Sequence, residues 1–165
     1  MPHPASLPAD ELLRQCETRR TRRSGPGGQH RNKVETAVVL THVQTGVQAE
    51  ANERRSQAEN LRMALFRLRV NLALEVRQRD GAFPSALWQS RCRGGRIVLS
   101  AEHDDFPTLL AEALDVIAAC GDDLKAAVEC LGCTSSQLIK LLKDEPRALS
   151  AVNARRRAAG LHELR

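Results

Sequence analysis

The residues best suited to chemistry lie together in the stretch RSGPGGQHRN, Arg23 to Asn32, which follows further arginines at Arg19, Arg20 and Arg22. Gly27 and Gly28 can take positive φ and let another backbone approach closely, while Pro26 stiffens the entry. Backbone N–H groups on such a tip suit a negatively charged oxygen. A bound nucleotide phosphate is disfavoured, because the stretch matches neither G-x-x-x-x-G-K-[ST] nor G-x-G-x-x-G and has no strand-loop-helix context with an acidic residue downstream. Composition alone favours a disordered arginine-glycine linker. Cys130 and Cys133 make a C-x-x-C with no second pair and no histidine at ligand spacing, so small residues beside a helix turn are expected there rather than a metal.

The elements that must position this stretch are legible on both sides of it. Residues 9–16 read as a short helix after Pro8, and 16–23 as an exposed strand or basic arm. The β-branched run at 35–43 and the alternating run at 47–51, joined through Thr45-Gly46, read as a hairpin. From Ser56, Leu61, Leu65, Leu68 and Leu72 recur at helical spacing, so one long helix is expected to lie across the hairpin. The expected fold class is α+β, a small antiparallel sheet packed on a long helix over residues 9–78. Residues 79–105, punctuated by Gly81, Pro84 and Gly94-Gly95, read as a linker in which IVLS at 97–100 is the one short strand. Residues 106–165 read as an α-helical module. Within it Gly132 ends one short helix, Thr134-Ser-Ser-Gln137 opens the next as a capping box, and the pair has a helix-turn-helix pattern. Gln137, Lys140 and Lys143 are expected to point outward from its second helix.

The chain has 165 residues, a formal net charge of +5 carried mostly by arginine, and five scattered cysteines. That length supports a buried core without disulfide or metal staples. Arginine favours bidentate contact with phosphate, so a polyanionic partner fits the balance. The odd, dispersed cysteines suit reduced thiols. The start MPHPASLPADELL has neither the basic start nor the apolar run of a signal peptide, and no stretch approaches the roughly 18 apolar residues of a membrane span. The expectation is a cytoplasmic protein with no membrane partner.

Taken together, Arg22-Arg23-Ser24-Gly25-Pro26-Gly27-Gly28-Gln29-His30-Arg31-Asn32, Thr36-Ala-Val-Val-Leu-Thr-His42, Thr45-Gly46 and Arg55-Ser-Gln-Ala-Glu-Asn60 closely resemble the catalytic domain of the class I peptide-chain release factors and their small codon-independent relatives, the ribosome-rescue hydrolases. The resemblance spans residues 20 to about 75. It implies that Gly27, Gly28 and Gln29 enter the peptidyl transferase centre of the large ribosomal subunit and trigger hydrolysis of peptidyl-tRNA. Arg19, Arg20, Arg22, Arg23, Arg31, Asn32 and Lys33 would meet ribosomal RNA, and Arg55, Ser56 and Gln57 would hold the loop base or contact RNA. The implied partners are the ribosome and peptidyl-tRNA, met by a monomer with no small-molecule cofactor. Pro26, Arg31 and Gln44 depart from the commonest residues of the family. About twenty residues precede the motif, which leaves no room there for a codon-reading domain and makes termination at stop codons unexpected. The alternative is a noncatalytic ribosome-, RNA- or DNA-binding protein working through the helix-turn-helix pattern.

Overall fold

A computed structural model describes residues 2–21, 36–78 and 83–165. After a short 3-10 turn at Pro4–Ser6 and a helix α1 (Ala9–Arg14), three strands form one antiparallel sheet in the order β1 (Cys16–Thr21), β2 (Ala37–His42) and β3 (Gln48–Ala51). Register pairs Val38 with Ala51 and Leu40 with Ala49, so these four side chains share one face, and all are buried. The expected hairpin is present as Ala37–His42 and Gln48–Ala51, with Gly46 at φ 72° in its turn. Within the basic run expected at 16–23, Cys16–Thr21 form the edge strand β1, paired with β2 from Cys16↔His42 to Thr21↔Ala37, and Arg22 and Arg23 lie outside the described residues.

The helix expected from Ser56 onward is α2 (Gln57–Glu75). Ser56 caps it, accepting the Glu59 N–H at 3.4 Å. Its fully buried line differs from the expected leucine stripe: Leu61 and Leu65 are half-buried, and the line runs Asn60, Ala64, Leu68, Leu72. Ala64 is small enough to bring the helix axis close to the strands, and Asn60 is buried because its polar atoms are bonded. Two layers share this helix. The sheet lies against one side of α2 and helix α4 (Phe106–Ala119) against another, which is why Val70 and Ala73 are buried too.

α4 is apolar nearly all round, and such a helix is stable at the centre of a core. Its two acidic residues are buried and occupied. Glu112 accepts the Ser85 N–H at 2.7 Å and the Ser85 hydroxyl, and Asp115 accepts the Gln78 N–H at 3.0 Å and an Arg77 N–H at 3.1 Å. One helix therefore grips the chain on both sides of residues 79–82.

Within the stretch expected as a linker, residues 83–105 build structure of their own: α3 (Ala86–Arg91), β4 (Cys92–Arg93) and β5 (Arg96–Ile97). The chain's one tryptophan, Trp88, is fully buried on α3 and donates its indole N–H to the Leu131 carbonyl at 2.8 Å. The strand expected at 97–100 reaches only Ile97, because pairing is limited to the two residues on each side of Gly94-Gly95.

α5 (Leu124–Leu131) ends at Gly132 with φ 65°, and α6 (Ser135–Lys143) is capped by Thr134, whose hydroxyl accepts the Gln137 N–H at 3.3 Å. The reciprocal half of the expected capping box is not made. Gln137 accepts the Ile97 N–H at 3.1 Å instead, so its side chain serves β5 rather than pointing outward. α7 (Pro146–Ala158) carries Arg155, Arg156 and Arg157. All three are engaged within the chain, on the Asp122 carboxylate, on the Asp122 and His162 carbonyls, and on Glu163 respectively.

Candidate functional site

Gly27, Gly28 and Gln29, with Arg22, Arg23, Arg31, Asn32 and Lys33, lie outside the described residues. What the structure describes is the frame around them. Thr21 and Ala37 are the last pair of the β1–β2 ladder, so the two strands that enter and leave residues 22–35 lie side by side. On the exit side the anchor is Asn60. Its Nδ2 donates to the Thr36 carbonyl at 2.6 Å and to the Arg54 carbonyl at 3.0 Å, while its Oδ1 accepts the Arg54 N–H at 2.9 Å. The side chain is fully buried, and three bonds satisfy it. One residue thus ties the start of β2, the turn at Arg54 and the first turn of α2 into a single joint. Asn60 was not among the expected site residues. Its signal was present in Arg-Ser-Gln-Ala-Glu-Asn60, where a polar residue falls on the inward line of a helix.

Arg19 and Arg20 are exposed on β1. As neighbours on a strand they project to opposite faces, Arg19 level with Val39 and Arg20 level with Val38. A polyanion touching both must meet the sheet edge rather than one face. Arg55 is exposed at the turn before α2, Ser56 is the cap already described, and Gln57 opens the helix. The joint made by Asn60 therefore places the Arg54–Ser56 turn beside the exit of residues 22–35.

Other residues of the sequence motif work within the fold. His42 is fully buried, with Nδ1 at 2.8 Å from the Thr45 hydroxyl and Nε2 at 3.2 Å from Gln15 Oε1. Gln15 Oε1 can only accept, so Nε2 carries the ring proton in the neutral ring and Nδ1 accepts the Thr45 hydroxyl, whose oxygen also accepts the Val47 N–H at 3.3 Å. Burial lowers the His42 pKa, in keeping with that neutral ring. The turn between β2 and β3 is fixed by this chain of bonds.

Several arginines on α2 are likewise structural. Arg67 pairs with Glu53 at 2.6 Å and holds that carboxyl down to about 2, and it also donates to the Glu50 carbonyl. Arg69 donates to the Ala5 and Asp104 carbonyls and to the Thr108 hydroxyl. Among the described residues no group of three His, Cys, Asp or Glu side chains is placed to hold a metal ion. Cys130 is exposed and Cys133 buried, and burial pushes the Cys133 thiol up to about 11, far from the thiolate that metal binding or nucleophilic attack needs. Among the described residues no helix is long and apolar enough to cross a membrane.

The described frame is thus a three-stranded sheet backed by one long helix, with residues 22–35 between paired strands and Arg19 and Arg20 on the edge strand. Residues 12–92 match the family model of the RF-1 domain, and the N-terminal half of the chain carries that domain. The chain is 42% identical over 81 residues to the chloroplastic peptide chain release factor PrfB1 of Arabidopsis thaliana, covering 44% of this chain and 18% of that protein. It is 43% identical over 74 residues to peptide chain release factor 1 of Leptothrix cholodnii, covering 45% and 21%. It is 34% identical over 80 residues to the mitochondrial peptide chain release factor 1 of Bos taurus, covering 48% and 18%. The similarity thus spans about a fifth of each of these relatives. No solved structure matches the chain.

Proposed function

We propose that this protein hydrolyses the ester between a nascent peptide and transfer RNA in the peptidyl transferase centre, without reading a codon, and so frees stalled ribosomes. The observation that supports the reading is the RF-1 domain match over residues 12–92, which includes Gly27-Gly28-Gln29. Water attacking the ester places negative charge on the carbonyl oxygen, and a backbone N–H fixed at that oxygen contributes about 3 kcal/mol to the transition state. The N–H of Gln29 has that role in this scheme. Gly27 and Gly28 let the backbone come close enough, and the Gln29 amide orients water. The nucleophile is water, and the ribosome and transfer RNA furnish the rest of the site, so no protein nucleophile or cofactor is required. Arg19, Arg20, Arg22, Arg23, Arg31, Lys33 and Arg55 meet RNA phosphates, with Asn32, Ser56 and Gln57 beside them. The stop-codon complex in the experiment below tests codon independence. The protein acts as a cytoplasmic monomer.

The reading as a noncatalytic nucleic-acid binder through α5 and α6 has less support, because Gln137, the side chain best suited to reading a base edge there, is engaged by Ile97. The deciding experiment is release of labelled peptide from ribosomes stalled on a truncated message, with wild type and Gly28→Ala in parallel and a stop-codon complex as control. Release by wild type, at least a hundredfold slower in Gly28→Ala with ribosome binding retained, is the expected result. Equal release by both proteins, or none by either, refutes the proposal.

A further inference from the structure

We infer that the β4–β5 hairpin is a second phosphate-binding element, in which Arg93 and Arg96 form a fork for the RNA backbone; the inference rests on the ribosome being the partner. Register places Arg93 directly across from Arg96. Cys92 and Ile97 are half-buried, so the alternation of a strand turns both arginines to the outer face, and both are exposed. Two like charges directly opposed across a ladder are unfavourable for folding, and an anion between them removes the repulsion. Two guanidinium forks on one face match the oxygens of a phosphate.

Arg93 and Arg96 stand apart from most other arginines of this region. Arg91 pairs with Asp105, Arg147 with Glu145, Arg155 with Asp122 and Arg157 with Glu163, and Arg156 holds carbonyls. Among the described residues neither Arg93 nor Arg96 has an acidic partner. In the basic run at 155–157, Arg155 and Arg157 are therefore paired with carboxylates and Arg156 is tied to carbonyls, whereas Arg93 and Arg96 have no such acidic partner among the described residues.

The hairpin is also held rigidly enough to act as a site. Gly94 and Gly95 have φ of 57° and 77°, the left-handed conformations of a tight two-residue turn. A Cβ on Gly95 would stand 3.3 Å from the Thr134 methyl, and its carbonyl accepts the Thr134 N–H at 3.1 Å, so the tip is seated against the α5–α6 turn. Gln137 holds Ile97 from below, and the Val98 N–H donates to the Arg91 carbonyl at 2.8 Å. The two arginines are presented by backbone that has little freedom left to lose on binding.

The test is Arg93→Gln/Arg96→Gln in the full chain, with Arg93→Lys/Arg96→Lys as the charge-retaining control. Binding is titrated against salt on purified large ribosomal subunits, on a short RNA stem-loop and on a DNA stem-loop of the same sequence. The expected result is that the Gln pair binds subunits about tenfold or more weakly and its log Kd against log salt loses about 1 to 2 of its slope, while the Lys pair keeps most of both. In buffer without polyanion the Gln pair should melt at the wild-type temperature or about 1–3 °C higher, because opposed charges are gone. Wild type binding subunits with a slope the Gln pair does not change overturns the inference and leaves the proposed function standing. Wild type failing to bind subunits refutes the ribosomal reading, and the stem-loops then decide: loss of RNA binding in the Gln pair keeps the fork, and an unchanged slope, or loss confined to DNA, overturns it.

Discussion

Removing the Asn60 side chain tests whether the joint behind residues 22–35 matters for stability and for release. Asn60→Ala deletes three bonds, at 2.6, 2.9 and 3.0 Å, from a fully buried position. Each is worth about 1 kcal/mol net, and water can reach part of the exposed Arg54, so the expected loss is about 2–3 kcal/mol. For a chain of this size that lowers the melting temperature by about 5–10 °C. Asn60→Asp separates donor from shape. The carboxylate still accepts the Arg54 N–H, but it faces the Thr36 and Arg54 carbonyls with no proton to give, so at neutral pH it should destabilise at least as much as Ala. Acidification restores one O–H donor, and the gap between Asp and wild type should narrow as pH falls while the gap for Ala stays constant. Thermal melts across pH give both numbers. Single-turnover peptide release gives the functional half: with ribosomes saturated, the rate should fall because Thr36 directly follows the stretch that carries Gly27 to Gln29. A shift under about 1 kcal/mol in Asn60→Ala, together with undiminished release, would refute the view that this joint supports the loop.

Two further outcomes follow from the second layer. Burial raises the folded-state pKa of Glu112 above its ordinary value of 4.5, so its contribution to stability is fully present below that value and is lost as pH rises through the folded pKa. Glu112→Gln, whose amide oxygen can accept the Ser85 N–H while its NH2 donates to the Ser85 hydroxyl oxygen, should gain on wild type as pH rises from about 4 to 7; a difference that does not vary with pH would sink the burial argument. Trp88→Phe leaves the Leu131 carbonyl without its indole donor and opens space in the core, at an expected loss of about 1–3 kcal/mol in a denaturant titration followed by circular dichroism. A loss below about 0.5 kcal/mol would mean the indole is not an anchor.

What could be read before folding was local. Ala37 to His42 alternates with β-branched residues, and Ser56 followed by leucines at helical spacing starts a helix; both signals depend on neighbours in sequence, and both elements formed where expected. The edge strand was harder, since Cys16 to Thr21 has little to bury and takes its shape from β2. Partners far along the chain were out of reach. Gln137 had the spacing for a capping box, but the Ile97 N–H competed for its amide. Asp122 lies more than thirty residues before Arg155 and Arg156 and reaches both only through the fold. Glycines and a proline suggested a linker at 79–105, yet turn residues mark changes of direction whether or not a core lies beneath them, and the lone Trp88 was the sign that one does. Asn60 belongs to the motif pattern Arg-Ser-Gln-Ala-Glu-Asn, but two of its three bonds close within the Arg54 turn and the third needs β2 in place.

The match to the RF-1 domain ends at residue 92, while α2 depends on what comes after it. A fragment cut there would deprive Arg69 of Thr108 and Arg77 of Asp115, and would turn the α4-facing side of α2 toward solvent. In engineering terms the smallest transplantable cassette is longer than the stretch that is shared. A chimera that grafts residues 12–92 alone onto a foreign scaffold should aggregate unless α4 travels with them or the recipient supplies an apolar helix in its place.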